Sequence, residues 1–256
     1  MRYVALVWAI MALLFVGMLA MAVAGQRFGR LRARHIGDSA TTGTGIVDGA
    51  LFALLGLLIA FTFATAYSRY NMRRDLAVQE ANTIGTAYLR LDLLPAAEQA
   101  PLRAKFRDYV RSRLEFWNQL GNASALRQEL MRGNELQSEI WSLALKATDN
   151  DPSSRRLLLP ALNEMIDITT TRLNAIRAHP PLLVFAMLFV LALLCAWLIG
   201  YAMGNAELLN WMHVIGYAGM VTLTIYVILD LEYPRYGLIR LDFAQDALED
   251  LRKSMR

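Results

Sequence analysis

The chain has almost no cysteine and little histidine. Cys195 is the single cysteine among 256 residues and sits inside an apolar run, so no intrachain disulfide can form. A lone thiol in that setting reads as a small buried or lipid-facing residue. The three histidines, His35, His179 and His213, fall at separate segment edges, without ligand-like spacing to a cysteine or aspartate. Structural zinc is therefore not expected. Charge is also scarce: Asp, Glu, Lys and Arg make up 19% of the chain, below the share usual in soluble domains. The formal net charge is only +4, with no dense basic patch carrying interleaved aromatics. Nucleic acid is not an expected partner, and single-stranded binding along the Arg-rich middle is the weaker alternative. A Gly-rich phosphate loop, a His-Glu metalloprotease pattern, an internal repeat and a low-complexity tract are all missing. Ser39 and Ser68 have no nearby histidine that reads as a nucleophile pair. These absences argue against an enzyme and imply no cofactor and no metal.

What the chain does have is oil. Hydrophobic residues reach 56%, and the mean hydropathy is +0.33. Four apolar runs stand out, Tyr3–Ala24, Gly49–Tyr67, Leu182–Met203 and Leu208–Leu229, each 19 to 22 residues long. A helix needs about 20 residues to cross the hydrocarbon core, so the sequence predicts four transmembrane helices. "AVA" at Ala22–Ala24 fits a signal-peptidase site. However, the n-region is only Met1–Arg2, and the run exceeds the usual signal core of about 7–15 residues. Orientation follows from the basic residues at span ends. Arg2, Arg69, Arg73, Arg74, Arg172, Arg177, Arg235 and Arg240 lie on one side, against Arg27, Arg30, Arg32 and Arg34 on the other. This count places both termini and the long middle segment in the cytoplasm. The very short Asn205–Ala206 loop makes spans three and four an antiparallel hairpin.

The segment from Arg69 to Pro180 holds 112 residues, 16 basic and 13 acidic. Apolar positions recur there at helical spacing: Phe106, Tyr109, Val110, Leu114 and Trp117, then Leu136, Ile140, Leu143 and Leu145. A third stripe runs through Leu158, Leu162, Met165, Ile166, Thr169 and Leu173. "GNAS" at Gly121–Ser124 and "TDNDPSS" at Thr148–Ser154 break these helices. The fold expected is all-α and integral to the membrane: four transmembrane helices in two pairs with a long cytoplasmic helical insert. The boundaries are 1–68 for the first helix pair, 69–180 for the insert, 181–229 for the second pair and 230–256 for a cytoplasmic C-terminal segment.

Two charged groups deserve roles. Arg69, Arg73, Arg74, Asp75 and Glu80 follow span two, and no proline interrupts the stretch from Phe61 until Pro95. One apparent helix thus passes from apolar to charged sequence without a stop. Its charges suit a headgroup anchor with internal ion pairs, or a vestibule below a pore. Residues Arg69 through Asn82 are the candidates for coupling the span to the helical insert. The second group is "LDLEYPRYGLIRLD", where Asp230, Glu232 and Asp242 are separated by Pro234 and Gly237. That stretch turns, and it lacks the spacing of an EF-hand. Asp48 and Asp230 mark span ends; as acids at the membrane boundary they are also candidates for an ion path.

"RYNMRRDLAVQEANTIGTAYLRLDLLP" and "LDLEYPRYGLIRLD", with the order of spans and insert, resemble the bacterial bestrophin-like family, a group of unknown function. More distantly the chain is similar to the bestrophin ion channels, in which span two lines an apolar neck and ends in a Thr-Arg-Trp step. Ser68–Arg69–Tyr70 looks like that step, and the matching register puts the neck on Ala53, Leu57 and Phe61. Tyr70 replaces the family's Trp, Ala53 is small where a bulky residue is usual, and the acidic run of the animal calcium clasp is absent. The resemblance implies a homo-oligomer, pentameric in the bestrophins, in a bacterial inner membrane, with lipids and inorganic ions as partners. The leading expectation is an ion channel. The alternatives are a membrane scaffold or sensor whose cytoplasmic helices bind a protein, and a transporter or enzyme using Thr62 and Thr65.

Overall fold

The structure, a computed structural model, describes residues 2–36, 44–119, 122–204, 206, 209–233, 238–239 and 243–255. Among these the regular structure is helical: α1 (Arg2–Ile36), α2 (Thr44–Leu89), a single 3-10 turn (Arg90–Leu93), α3 (Ala96–Asn118), α4 (Ala123–Ala147), α5 (Pro152–Arg177), α6 (Leu182–Ala202), α7 (Trp211–Glu232) and α8 (Phe243–Ser254). Four helical stretches are long and apolar enough to cross a membrane. α1 and α2 outrun their apolar runs because hydropathy changes where lipid would end, whereas backbone hydrogen bonding continues until something interrupts it; α6 and α7 keep close to the length of theirs. In α2 the interruption comes only at Pro95, which follows the 3-10 turn and N-caps α3.

The chain divides into two compact units, residues 1–70 with 179–240, and residues 71–178 with 241–256. In the first, α1 packs most extensively on α6 and next on α7. Met11, Leu14 and Met18 of α1 share a core with Leu188, Ala192 and Cys195 of α6 and with Ala218 and Ile225 of α7. Small residues set how near the backbones come. A Cβ added at Gly200 would stand 1.8 Å from the Ala22 carbonyl oxygen, and one at Gly25 would stand 2.1 Å from that of Trp197. Gly29 and Gly204 face each other across the same seam. Without side chains between them, two helices gain dispersion contacts along their backbones, the interaction that holds helices together where apolar solvent removes the hydrophobic drive. Gln26 Nε2 and Arg30 Nη2 then donate to the Ala206 carbonyl, at 3.4 and 2.9 Å. A Cβ added at Gly56, by contrast, would meet nothing within 4 Å among the described residues, and Ala53 is exposed.

The second unit is built by the sequence signals around it. Asn122 caps α4, its Oδ1 accepting from the N–H groups of Ser124 and Ala125 at 3.2 and 3.3 Å. Asp151 caps α5 in the same way through Ser153 and Ser154, at 3.0 and 3.1 Å, with Pro152 in the first turn. Phe106, Tyr109 and Val110 of α3, Ile140 of α4 and Leu158, Leu162 and Met165 of α5 form the core, together with Ile84 and Leu91 and with Leu248 of α8. Each such apolar side chain contributes roughly 1.5–3 kcal/mol on leaving water.

Glycines in the two units should respond in opposite ways. Gly200→Ala forces α1 and α6 apart and should cost about 1–3 kcal/mol or more. At Gly133 in α4 an added Cβ meets only Ser112 Oγ, at 4.0 Å. Gly133→Ala should therefore stabilise by roughly 0.5–1 kcal/mol. Thermal melts of the purified variants in detergent check both signs.

Candidate functional site

The membrane half of α2 has two unlike faces. Leu55, Thr62 and Ala66 are buried, with Leu51, Phe52, Leu58 and Ile59 partly so. Ala53, Leu57 and Phe61 lie on the other face, where Leu57 is 52% and Phe61 64% exposed. Spaced by four, they form one apolar stripe that nothing in the chain covers among the described residues. Thr62 and Thr65 do not lend polarity to it. Thr62 Oγ1 donates to the Leu58 carbonyl at 2.6 Å and Thr65 Oγ1 to that of Phe61 at 2.7 Å, so both hydroxyls are committed to their own helix.

At the foot of this span Arg69 reaches α7. Its Nε and Nη2 both donate to Glu232 Oε1, at 2.7 and 2.5 Å. Glu232 is fully buried at its side chain, which makes the pair far more than a screened surface contact. His179 Nδ1 stands 3.7 Å from Glu232 Oε2, and its ring stacks on Tyr233 with centroids 4.6 Å apart. Asp230, two residues back, is also buried. Its Oδ2 accepts from the backbone N–H groups of Leu238 and Ile239, both at 2.9 Å. This acid holds the returning chain after α7, which is the structural role of a span-end residue. Pro234 and Gly237, expected to make the turn, lie outside the described residues, as does Asp242. Asp48 is half-buried in the second turn of α2.

Beyond Tyr70 two of the charges of α2, Arg73 and Glu80, turn inward. Arg73 is buried, and its Nε and Nη2 donate to the carbonyls of Ala175 and Ala178, at 3.1 and 2.9 Å. A guanidinium there satisfies carbonyls left open at the C-terminus of α5 and meets the negative end of its dipole. Arg74 and Asn82 are exposed. Glu80 is the most enclosed charge: its Oε1 accepts from Arg113 Nε of α3 at 2.5 Å, and its Oε2 pairs with Arg172 Nη1 of α5. Burial alone pushes the Glu80 carboxyl up, but the two guanidinium groups together outweigh it and hold it below its ordinary value. Arg172 also lies over the Trp117 ring, 3.7 Å from its centroid. Arg113 was not singled out from the sequence, and Arg172 was counted only among the basic residues that set the orientation. The signal was present: Arg113 falls within the Phe106–Tyr109–Val110–Leu114–Trp117 stripe and Arg172 beside Leu173, so each is a charge on an apolar helix face.

These features define a helical membrane protein whose second span carries an apolar stripe left uncovered among the described residues. Residues 11–242 match the family model described as the Bestrophin-like domain, and the chain belongs to the bestrophin-like family. No curated protein and no solved structure matches it.

Glu80→Gln should destabilise the protein by about 3–5 kcal/mol, because two guanidinium groups would stay buried without their counter-charge. Since the folded carboxyl titrates below the ordinary 4.5, its contribution is complete above pH 4.5 and fades as pH falls through the lower folded value. Denaturant melts between neutral and acidic pH should show that loss in the native chain and a flatter profile in Glu80→Gln.

Proposed function

We propose that the protein is a homo-oligomeric ion channel of the bacterial inner membrane, with a neck formed by the Ala53, Leu57 and Phe61 stripe of α2. The observation that carries this reading is the stripe itself: three aligned positions, two of them bulky and apolar, on the least covered face of a membrane helix. Repeated around an axis, such side chains form apolar rings narrow enough to dewet and so to gate ions. Membership of the bestrophin-like family supports it, and the bestrophin resemblance makes a pentamer the copy number to test. Both termini and the 69–180 segment would then face the cytoplasm, as the arginine distribution favours. Arg69 and the charges through Glu80 and Asn82 would pass movements of the helical segment to the neck, because α2 runs unbroken from Thr44 to Leu89. Membrane lipids would cover the remaining apolar surface.

A second reading draws on the separate hydrophobic core of the 71–178 unit, which suits a non-conducting scaffold or sensor that binds a protein. Flux measurements separate the two. In proteoliposomes the native chain should pass ions, and Leu57→Ala and Phe61→Ala should each raise the leak several-fold by widening the neck. An oligomer that passes no ions in any of the three forms would sink the channel and leave the scaffold.

A further inference from the structure

The charges at the heart of the 71–178 unit do not cancel. Glu80 brings one negative charge, and Arg113 and Arg172 bring two positive ones, all three side chains being at least nine-tenths buried. Arg172 Nε is buried without an acceptor among the described residues. The group therefore carries a net positive charge and a spare donor in a setting where neither is screened by water.

Beside it lies a cavity of about 200 Å³ between α3, α4 and α5. Arg113 is the one charged residue in its lining, where Tyr109, Asn134, Gln137 and Thr169 supply further polar groups. Gln137 Nε2 donates to Tyr109 Oη at 2.9 Å and approaches Thr169 Oγ1 at 3.4 Å. Tyr109 accepts in that bond, which leaves its own O–H to donate. Burial pushes the phenol above its ordinary value and so keeps that proton in place. The rest of the lining is largely apolar, with Phe116, Trp117, Leu130 and Leu173, and the Arg113 guanidinium lies over the Phe116 ring, 4.9 Å from its centroid. The cavity is below the range of about 300–1,000 Å³ common for drug-sized ligands. A guanidinium and several polar groups beside aromatic and aliphatic side chains suit a small amphipathic anion.

We propose that this cavity binds a small organic monocarboxylate, with the carboxylate at Arg113 and Tyr109 and the apolar body against Trp117 and Leu130. The anion would neutralise the excess charge left by Glu80, Arg113 and Arg172. Chloride or phosphate would satisfy the charge but leave the apolar side empty. The site does not depend on whether the membrane helices conduct.

Sodium benzoate is the probe, titrated calorimetrically into the full-length protein in lipid nanodiscs at constant ionic strength, with empty nanodiscs as the blank. One saturable site per chain is expected. Benzamide, which has the same ring without the charge, should bind at least about tenfold more weakly, since charge-assisted hydrogen bonds are the strong ones. Gly133 lines the cavity, and a Cβ there would meet only Ser112 Oγ, at 4.0 Å. Gly133→Leu should therefore fill the cavity and weaken benzoate at least about tenfold while leaving helical circular dichroism unchanged. If that variant does not fold, Thr169→Leu carries the same expectation. No saturable heat from the native chain, equal binding of benzamide, or full benzoate affinity in a folded cavity-filling variant would each overturn the proposal.

Discussion

A charge that leaves water must find its counter-charge inside the protein, and in this chain that requirement fixes which helices meet. Glu80 is the clearest case. Its two carboxylate oxygens take one guanidinium each, Arg113 from α3 and Arg172 from α5. The sequence separations are 33 and 92 residues, so three distant segments must come together before any of the three charges is stable. Pairs of this kind add little net stability compared with a well-packed apolar alternative. Their effect is to penalise every other arrangement, because a helix rotated or shifted by one residue leaves a bare charge in the core. The same rule governs the other unit, where Glu232 is buried against Arg69 and Asp230 against two backbone N–H groups.

Where there is no charge to place, backbone approach takes over. Gly25 and Gly29 on α1 face Gly200 and Gly204 at the far end of α6. Bulky residues there would hold the helices at the usual 8–10 Å between axes. Close approach multiplies weak contacts along the seam and fixes register, since a shift of one residue would drive a side chain into a carbonyl. The wide packing of α1 on α6 is thus a consequence of residues with almost no side chain. It also explains why α2, which follows α1 directly in sequence, makes no comparable approach among the described residues: no glycine on its membrane half meets a neighbour.

Local features were legible in the sequence and partners were not. The four apolar runs, the breaks at "GNAS" and "TDNDPSS" and the stripes through Tyr109, Ile140 and Leu162 are all periodic or short-range patterns. They emerge as helices, with Tyr109, Ile140 and Leu162 buried, and Asn122 and Asp151 in the two breaks turn out to cap the helices that follow. The passage of α2 from apolar to charged sequence was equally readable, because nothing between Phe61 and Leu89 could stop a helix. The choice of α6 as the main partner of α1 depends on glycines some 175 residues apart, and no periodicity within either run reveals that pairing. Arg73 shows the same limit. Its position suggested a headgroup anchor with internal ion pairs, or a vestibule; that its guanidinium meets the last carbonyls of α5 is set by tertiary placement.

The uncovered stripe of α2 follows from these two kinds of contact. Charge pairing holds the helix at its foot through Arg69, and the buried face through Leu55, Thr62 and Ala66 holds it along its length. Neither draws on Ala53, Leu57 or Phe61. Lipid covers such a face without difficulty, so exposure by itself selects no role. The arrangement of polar groups is more informative. Thr62 and Thr65 turn their hydroxyls back onto their own helix, and the first charge lies eight residues beyond Phe61. The stripe is therefore dry for two full turns and ends at a guanidinium that is already paired. Lipid would cover that stripe as readily as any other apolar face. A ring of such helices around an axis would turn it into a barrier to ions, with paired charge at its lower edge to respond when the pairs shift.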